Sequence, residues 1–101
     1  MDEPATGTTP DEDRSVPVVT VRYWAAVRAA AGVSEERLPG ATLAAVLDEA
    51  RKAHSSQPRF GRVLAACSFL IGDVPVGGRD PSTVAMQEGD VVEALPPFAG
   101  G

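Results

Sequence analysis

Thr42-Leu43-Ala44-Ala45-Val46-Leu47-Asp48-Glu49-Ala50-Arg51-Lys52-Ala53-His54 is the most regular stretch of the chain. Leu43, Val46, Leu47 and Ala50 fall at i, i+3, i+4 and i+7, one face of a helix, while Asp48, Glu49, Arg51 and Lys52 lie off that stripe. Thr42 stands where an N-cap belongs, its hydroxyl within reach of the first free backbone N–H groups. Ser55-Ser56-Gln57-Pro58 ends the pattern. A helix with a single apolar face has to bury it against another layer, so the flanking segments decide what the domain is.

Upstream, Val19, Val21 and Tyr23 alternate with Val18, Thr20 and Arg22, which predicts a strand beginning after Pro17 and closed by Trp24. Ala25–Ala31 is a run of good helix formers ended by Gly32, a natural C-cap. Ser34–Leu38 predicts a short second strand, with Pro39-Gly40 as its turn. Downstream, residues 59–66 fit a short helix or a loop equally. Cys67–Ile71 predicts a buried strand, Gly72-Asp73 a tight turn, and Val74-Pro75-Val76 a return strand. Gly77-Gly78-Arg79-Asp80-Pro81 is a loop; Ser82–Glu88 leads into Gly89-Asp90, and Asp90–Leu95 is the last strand. The result is an α+β domain, a sheet packed on one main helix.

The chain has 101 residues and a mass of 10.4 kDa, which suits one compact domain. Hydrophobic residues make up 44% but aromatics only 5%, so the core rests on Ala, Val and Leu. The formal charge is -5, which argues against nucleic acid as the main partner, because backbone binding rewards a basic face. The charge is concentrated. Asp2, Glu3, Asp11, Glu12 and Asp13 stand against Arg14 alone within residues 1–15, leaving the rest nearly neutral. With Pro4, Gly7 and Pro10 and almost no large apolar side chain, residues 1–15 are expected to be a disordered acidic leader. Residues 16–95 form the domain, and residues 96–101 an extended tail.

A single cysteine, Cys67, excludes a disulfide or a multi-cysteine metal site within the chain, and a single histidine, His54, excludes a histidine cluster; no metal site is expected. No apolar run approaches the roughly 20 residues that span a bilayer. The N-terminus lacks the basic-then-apolar signature of a signal peptide. The expectation is a cytoplasmic protein without a membrane partner. Cys67 reads as a small buried apolar residue, and His54 as a helix-end cation or an exposed residue rather than a general base. Glu35-Glu36 and Asp48-Glu49 are sequence neighbours whose side chains point apart. Gly77-Gly78 lacks the spacing of a phosphate loop. No side chains assemble into a conventional catalytic set.

The candidate chemistry lies in Leu95-Pro96-Pro97-Phe98-Ala99-Gly100-Gly101. The proline pair fixes φ and favours extended geometry, which predicts a tail held away from the domain. Phe98 is a large apolar residue beyond the last strand, where a solvated tail would carry something polar. Residues 96–101 reach about 20 Å when extended. Gly100-Gly101 has no Cβ and fits a slot closed to any other pair. Its reactive group is the Gly101 α-carboxylate, a poor acyl donor until converted to an acyl-adenylate or a thiocarboxylate.

At this level the sequence resembles the MoaD/ThiS family of sulfur-carrier proteins. Val19-Thr20-Val21-Arg22-Tyr23-Trp24-Ala25-Ala26-Val27-Arg28-Ala29-Ala30-Ala31-Gly32 is similar to the family's first strand and helix, Gly89-Asp90-Val91-Val92-Glu93 to the opening of its last strand, and Pro96-Pro97-Phe98-Ala99-Gly100-Gly101 to its terminus. Leu95 and Phe98 stand where typical members have Phe and Val. The resemblance implies a ubiquitin-like β-grasp fold in which the 42–54 helix is the one grasped. It also implies that the chain binds no cofactor itself. An E1-like adenylating enzyme would use ATP and magnesium to adenylate Gly101, and a sulfur donor enzyme would supply the sulfur that replaces AMP. In the molybdopterin branch the charged tail enters the large catalytic subunit of molybdopterin synthase in a heterotetramer, with Leu95, Pro96, Pro97, Phe98, Ala99 and Gly100 meeting the partner and Gly101 carrying the sulfur. Relatives serving thiamin thiazole or cysteine synthesis also end in Gly-Gly, and a ubiquitin-like binding module whose tail is never activated is the contrasting reading.

Overall fold

The computed structural model describes residues 16–97. Strand β1 is Val18–Tyr23, helix α1 Ala25–Ala31, β2 Glu35–Pro39, α2 Leu43–Ala53, α3 Pro58–Ala65, β3 Ser68–Ile71, β4 Val74–Pro75 and β5 Val91–Leu95, with a 3-10 turn at Pro81–Thr83. The strands form one sheet in the order β2-β1-β5-β3-β4. β1 runs antiparallel to β2, with Val19 opposite Leu38 and Val21 opposite Glu36, and parallel to β5, with Val21 opposite Val92. β5 is antiparallel to β3, pairing Phe69 with Ala94. The two central strands are thus the first and the last in sequence. A parallel pair needs a long crossover, and here everything between Trp24 and Asp90 supplies it.

The alternation read from the sequence sets the layers. Val19, Val21 and Tyr23 of β1 and Val92 and Ala94 of β5 face inward and are buried. They meet Leu43, Val46, Leu47 and Ala50 of α2, the i, i+3, i+4, i+7 stripe. Thr42 Oγ1 accepts a hydrogen bond from Ala45 N at 3.1 Å, as an N-cap should. On the solvent side Arg51 pairs with Asp48 at 3.0 Å and Lys52 with Glu49 at 3.4 Å, one helical turn apart. Gly32 ends α1 in the left-handed region, at φ 81°, with its N–H bonded to Arg28 O.

The segment that reads equally as helix or loop is a helix. Pro58 occupies the first turn of α3, where its missing N–H costs nothing, and Phe60 and Leu64 at i, i+4 are buried. β3 begins at Ser68, one residue later than the sequence pattern suggests, because Cys67 N still bonds back to Leu64 O at the end of α3.

Gly40 sits where the chain turns from β2 toward α2. A Cβ built there would lie 2.5 Å from Val46 Cγ2 and 2.7 Å from Val46 N, which is helix backbone that cannot move aside. Gly40→Ala is therefore expected to cost about 1–3 kcal/mol. A urea titration of the variant checks this, and an unchanged midpoint would show that the β2–α2 corner is looser than its packing implies.

Candidate functional site

Among the candidate site residues, Leu95, Pro96 and Pro97 are described; Phe98, Ala99, Gly100 and Gly101 lie outside the described residues, as does the 1–15 leader. Leu95 is the last residue of β5. The following prolines border the surface of the domain. Pro96 is half-buried, and Pro96 and Pro97, with Trp24, Ala25, Ala26, Ser68 and Leu95, line an open groove of about 580 Å³. Their other side borders a second hollow of about 330 Å³, shared with Ala26, Arg62, Val63 and Ala66. The physical reason is that proline rings are apolar and carry no N–H to satisfy. They lie along an apolar surface laid out by the β1–α1 junction and α3. Pro97, one residue further on, is exposed.

Three segments build the groove. At the end of β1, Trp24 is extended (φ -120°, ψ 149°), and its N–H donates to Ala94 O of β5 at 3.3 Å. Its indole Nε1–H donates to Glu93 Oε2 at 3.3 Å, while the side chain remains 43% exposed. This is the chain's single tryptophan, held on the surface. Ala25 follows with φ 50°, in the left-handed region that a non-glycine residue enters at a cost of about 1–2 kcal/mol. That turn aims α1 back over the sheet and leaves two methyl-sized residues, Ala25 and Ala26, as the groove floor. Ser68 and Leu95–Pro97 close its other side, and α3 borders only the second hollow. On the opposite side of Trp24, Arg22, Arg28, Ser34 and Glu35 border a further hollow, with Arg22 Nε 3.3 Å from Glu35 Oε1.

A part-buried polar cluster joins β1, β2 and the end of α2. Tyr23 Oη donates to Glu36 Oε2 at 2.5 Å, and the same oxygen lies 2.6 Å from His54 Nε2. His54 Nδ1 lies 3.1 Å from Gln57 Oε1. The Phe60 ring stacks edge-on to Tyr23 at 5.5 Å and tilted on His54 at 4.5 Å. The Tyr23 phenol is pushed far above its ordinary range, first by burial and then by the Glu36 hydrogen bond and charge, so it stays protonated and serves as a donor. Of the two readings of His54, the exposed one is corrected: it stands at the end of α2 with its side chain 10% exposed and against Glu36. Sequence inspection misses this because Glu36 is on β2, eighteen residues away.

Cys67 is half-buried rather than fully buried, and its thiol donates to Val63 O at 3.3 Å. Burial pushes it up to about 11. Alkylation depends on the thiolate. Iodoacetamide at pH 8 is therefore expected to modify the folded protein at least about tenfold more slowly than the urea-unfolded chain. Equal rates would mean that Cys67 is freely accessible. Among the described residues no group of three or more His, Cys, Asp or Glu is placed to hold a metal ion, and no helix is long and apolar enough to cross a membrane.

The arrangement can therefore carry the chain past an apolar groove as far as Pro97. Trp24, Ala26, Arg62, Val63 and Ala66 are the site residues that sequence reasoning does not single out; an aromatic residue directly after the first strand is the one signal for them.

No protein-family model and no curated protein matches the chain. Solved structures do. Small archaeal modifier protein 1 from Methanosarcina acetivorans is 22% identical with a TM-score of 0.71, over 85% of this chain and 98% of that one. A protein assigned as molybdopterin converting factor subunit 1 from Pyrococcus furiosus is 26% identical with a TM-score of 0.66, over 81% and 99%. A chain of the complex between subunits 1 and 2 of molybdopterin-converting factor from Helicobacter pylori is 20% identical with a TM-score of 0.56, over 83% and 99%. The fold is the ubiquitin-like β-grasp, and its neighbours are ubiquitin-like modifiers and MoaD-type subunits, consistent with the MoaD/ThiS-like sulfur carrier that the sequence resembles.

Proposed function

We propose that this protein is a sulfur carrier of the molybdopterin-synthase type. Its Gly101 carboxylate is adenylated by an E1-like enzyme using ATP and magnesium. It is then converted to a thiocarboxylate by a sulfur donor enzyme and delivered to a large catalytic subunit during molybdenum cofactor synthesis. The observation that carries this reading is the position of Pro96 and Pro97. The sheet ends its central strand at Leu95 and hands the chain to two prolines beside an exposed tryptophan, four residues before Gly-Gly. The β-grasp neighbours that include molybdopterin converting factor subunit 1 support it.

Activation at a glycine terminus suits the chemistry. An unhindered carbonyl lets an enzyme bring ATP, and then sulfur, to the same carbon. General acid–base groups belong to the partner in this reading. The chain contributes a docking surface, with Trp24 and Arg62 as the kinds of residue that carry interface energy. Trp24→Ala is expected to weaken binding to the large subunit by about 30-fold, the equivalent of a ~2 kcal/mol hot spot. Its effect on folding should be small, since the side chain is 43% exposed. Titration calorimetry reads the affinity and a urea melt the stability; equal affinity would remove the groove from the interface.

Incubation with the activating enzyme, ATP and a sulfur source, followed by intact-mass spectrometry, tests the carrier reading directly. The expected product is heavier by one oxygen-to-sulfur exchange at the C-terminus. Its absence under conditions that charge a known carrier would sink the proposal. A modifier, the word in the archaeal neighbours' name, is the second reading; a terminus adenylated and then joined to amines predicts adducts of other proteins rather than a stable thiocarboxylate. Carriers for thiamin thiazole or cysteine synthesis share the mass shift and differ in which product disappears when the protein is absent.

A further inference from the structure

The cations of the domain are matched by carboxylates over most of its surface. Arg22 faces Glu35, Arg37 faces Glu88, Arg51 faces Asp48 and Lys52 faces Glu49. Arg79 turns its guanidinium onto the carbonyl oxygens of Val76 and Pro75. Arg28, Arg59 and Arg62 are different. All three are exposed, and among the described residues none of them meets a carboxylate. Arg28 is on α1, Arg59 and Arg62 are on α3, and neither helix contains an Asp or Glu.

These two helices pack on each other beside the groove. Arg28 lines the hollow on one flank of Trp24. Arg62 lines the hollow on the other side of Pro96 and Pro97, and Arg59 stands one turn before it on α3. Carboxylates near the groove are already engaged, Glu35 by Arg22 and Glu93 by the Trp24 indole N–H. An apolar centre is therefore bordered on both flanks by uncompensated positive charge, in a chain whose net charge is -5. A centre that excludes water and a charged rim is the anatomy of a protein interface.

We propose that Arg28, Arg59 and Arg62 are the rim of the groove interface, and that the surface seated on it is an acidic face of the large subunit. This deepens the function proposed above and rests on its large-subunit partner. The partner's carboxylates meet Arg28 on one flank of Trp24 and Arg59 and Arg62 on the other. Rim charges act mainly on encounter, by steering the two surfaces together, whereas the apolar groove governs how long the complex lasts. A phosphate backbone is the poorer occupant, because the acidic chain as a whole repels it.

The test measures association and dissociation rates of the full chain with the large subunit at about 50 mM and about 500 mM salt. The triple variant Arg28→Glu, Arg59→Glu, Arg62→Glu is expected to associate at least about tenfold more slowly at the lower salt and within about twofold of the unaltered chain at the higher. Where a urea melt shows that this variant is less stable, the triple Arg→Gln variant carries the comparison, with an expected drop of about threefold. Arg51→Gln, on α2, is expected to change the rate by less than about twofold. Equal association rates for the unaltered chain and both triple variants overturn the inference and leave the carrier reading standing. So does a difference that vanishes once residues 1–15 are removed, since the arginines then answer to that acidic segment. A single-stranded oligonucleotide that binds more tightly than the large subunit overturns it as well. Failure of the unaltered chain to bind the large subunit defeats it too, and thiocarboxylate formation read by intact mass then shows whether the loading step survives.

Discussion

A chain lacking Gly101, or extended by one residue beyond it, is expected to lose sulfur loading by at least about 100-fold while keeping its fold. One residue moves the carboxylate by about 3.3 Å along an extended tail. A displacement of about 1 Å at a reacting atom already costs about two orders of magnitude. Nothing in the domain can compensate, because the described side chains form no alternative acyl carrier. The loss should appear in intact mass as absence of the thiocarboxylate, with unchanged far-UV circular dichroism and an unchanged urea midpoint. The midpoint is decisive for interpretation: residues 98–101 lie beyond β5, and the buried core stops at Ala94. Full loading of the extended protein, with removal of the extra residue excluded by mass, would take the chemistry away from the terminus.

The second large effect is in the core. Phe60→Ala is expected to destabilise the domain by about 3–5 kcal/mol, against a total of about 5–15 kcal/mol for a domain of this kind. Phe60 is 1% exposed and meets both Tyr23 and His54. Its removal leaves a cavity behind the Tyr23–Glu36–His54 cluster and withdraws the contact that holds α3 to the end of β1. Because α3 also carries Arg62 and Val63, with Ala66 capping its end, the hollow beside Pro96 and Pro97 and the groove it adjoins should widen. Tryptophan emission from Trp24 in the folded variant reports this as a red shift. A cost below about 1 kcal/mol in a urea titration would mean that the site collapses around the smaller side chain.

The parts of the molecule legible in the sequence are those whose signal is periodic and local. α2 announces itself through Leu43, Val46, Leu47 and Ala50 with Thr42 as cap, and β1 through strict alternation from Val18 to Tyr23. α3 carries a weaker signal: eight residues with Gly61 inside, arginines at 59 and 62, and only Phe60 and Leu64 fully buried. The candidate site divides the same way. The Pro-Pro and Gly-Gly pairs are contiguous and readable. The groove and the hollow beside it are not, since they are assembled from residues 24–26, 62–66, 68 and 95–97, which only the pairing of β5 with β1 and β3 and the α1–α3 contact bring together. His54 fails for the same reason, its partner being on another element.

The parallel pairing of β1 with β5 has a mechanical consequence. A partner that grips the chain beyond Leu95 pulls β5 along its own axis, between β1 on one side and β3 on the other. The bonds of Thr20, Trp24 and Gly72 to Asp90, Ala94 and Val91 are then strained together, in shear, rather than peeled apart one after another. A handle anchored in this way bears a pull at its end while the body that carries it stays intact.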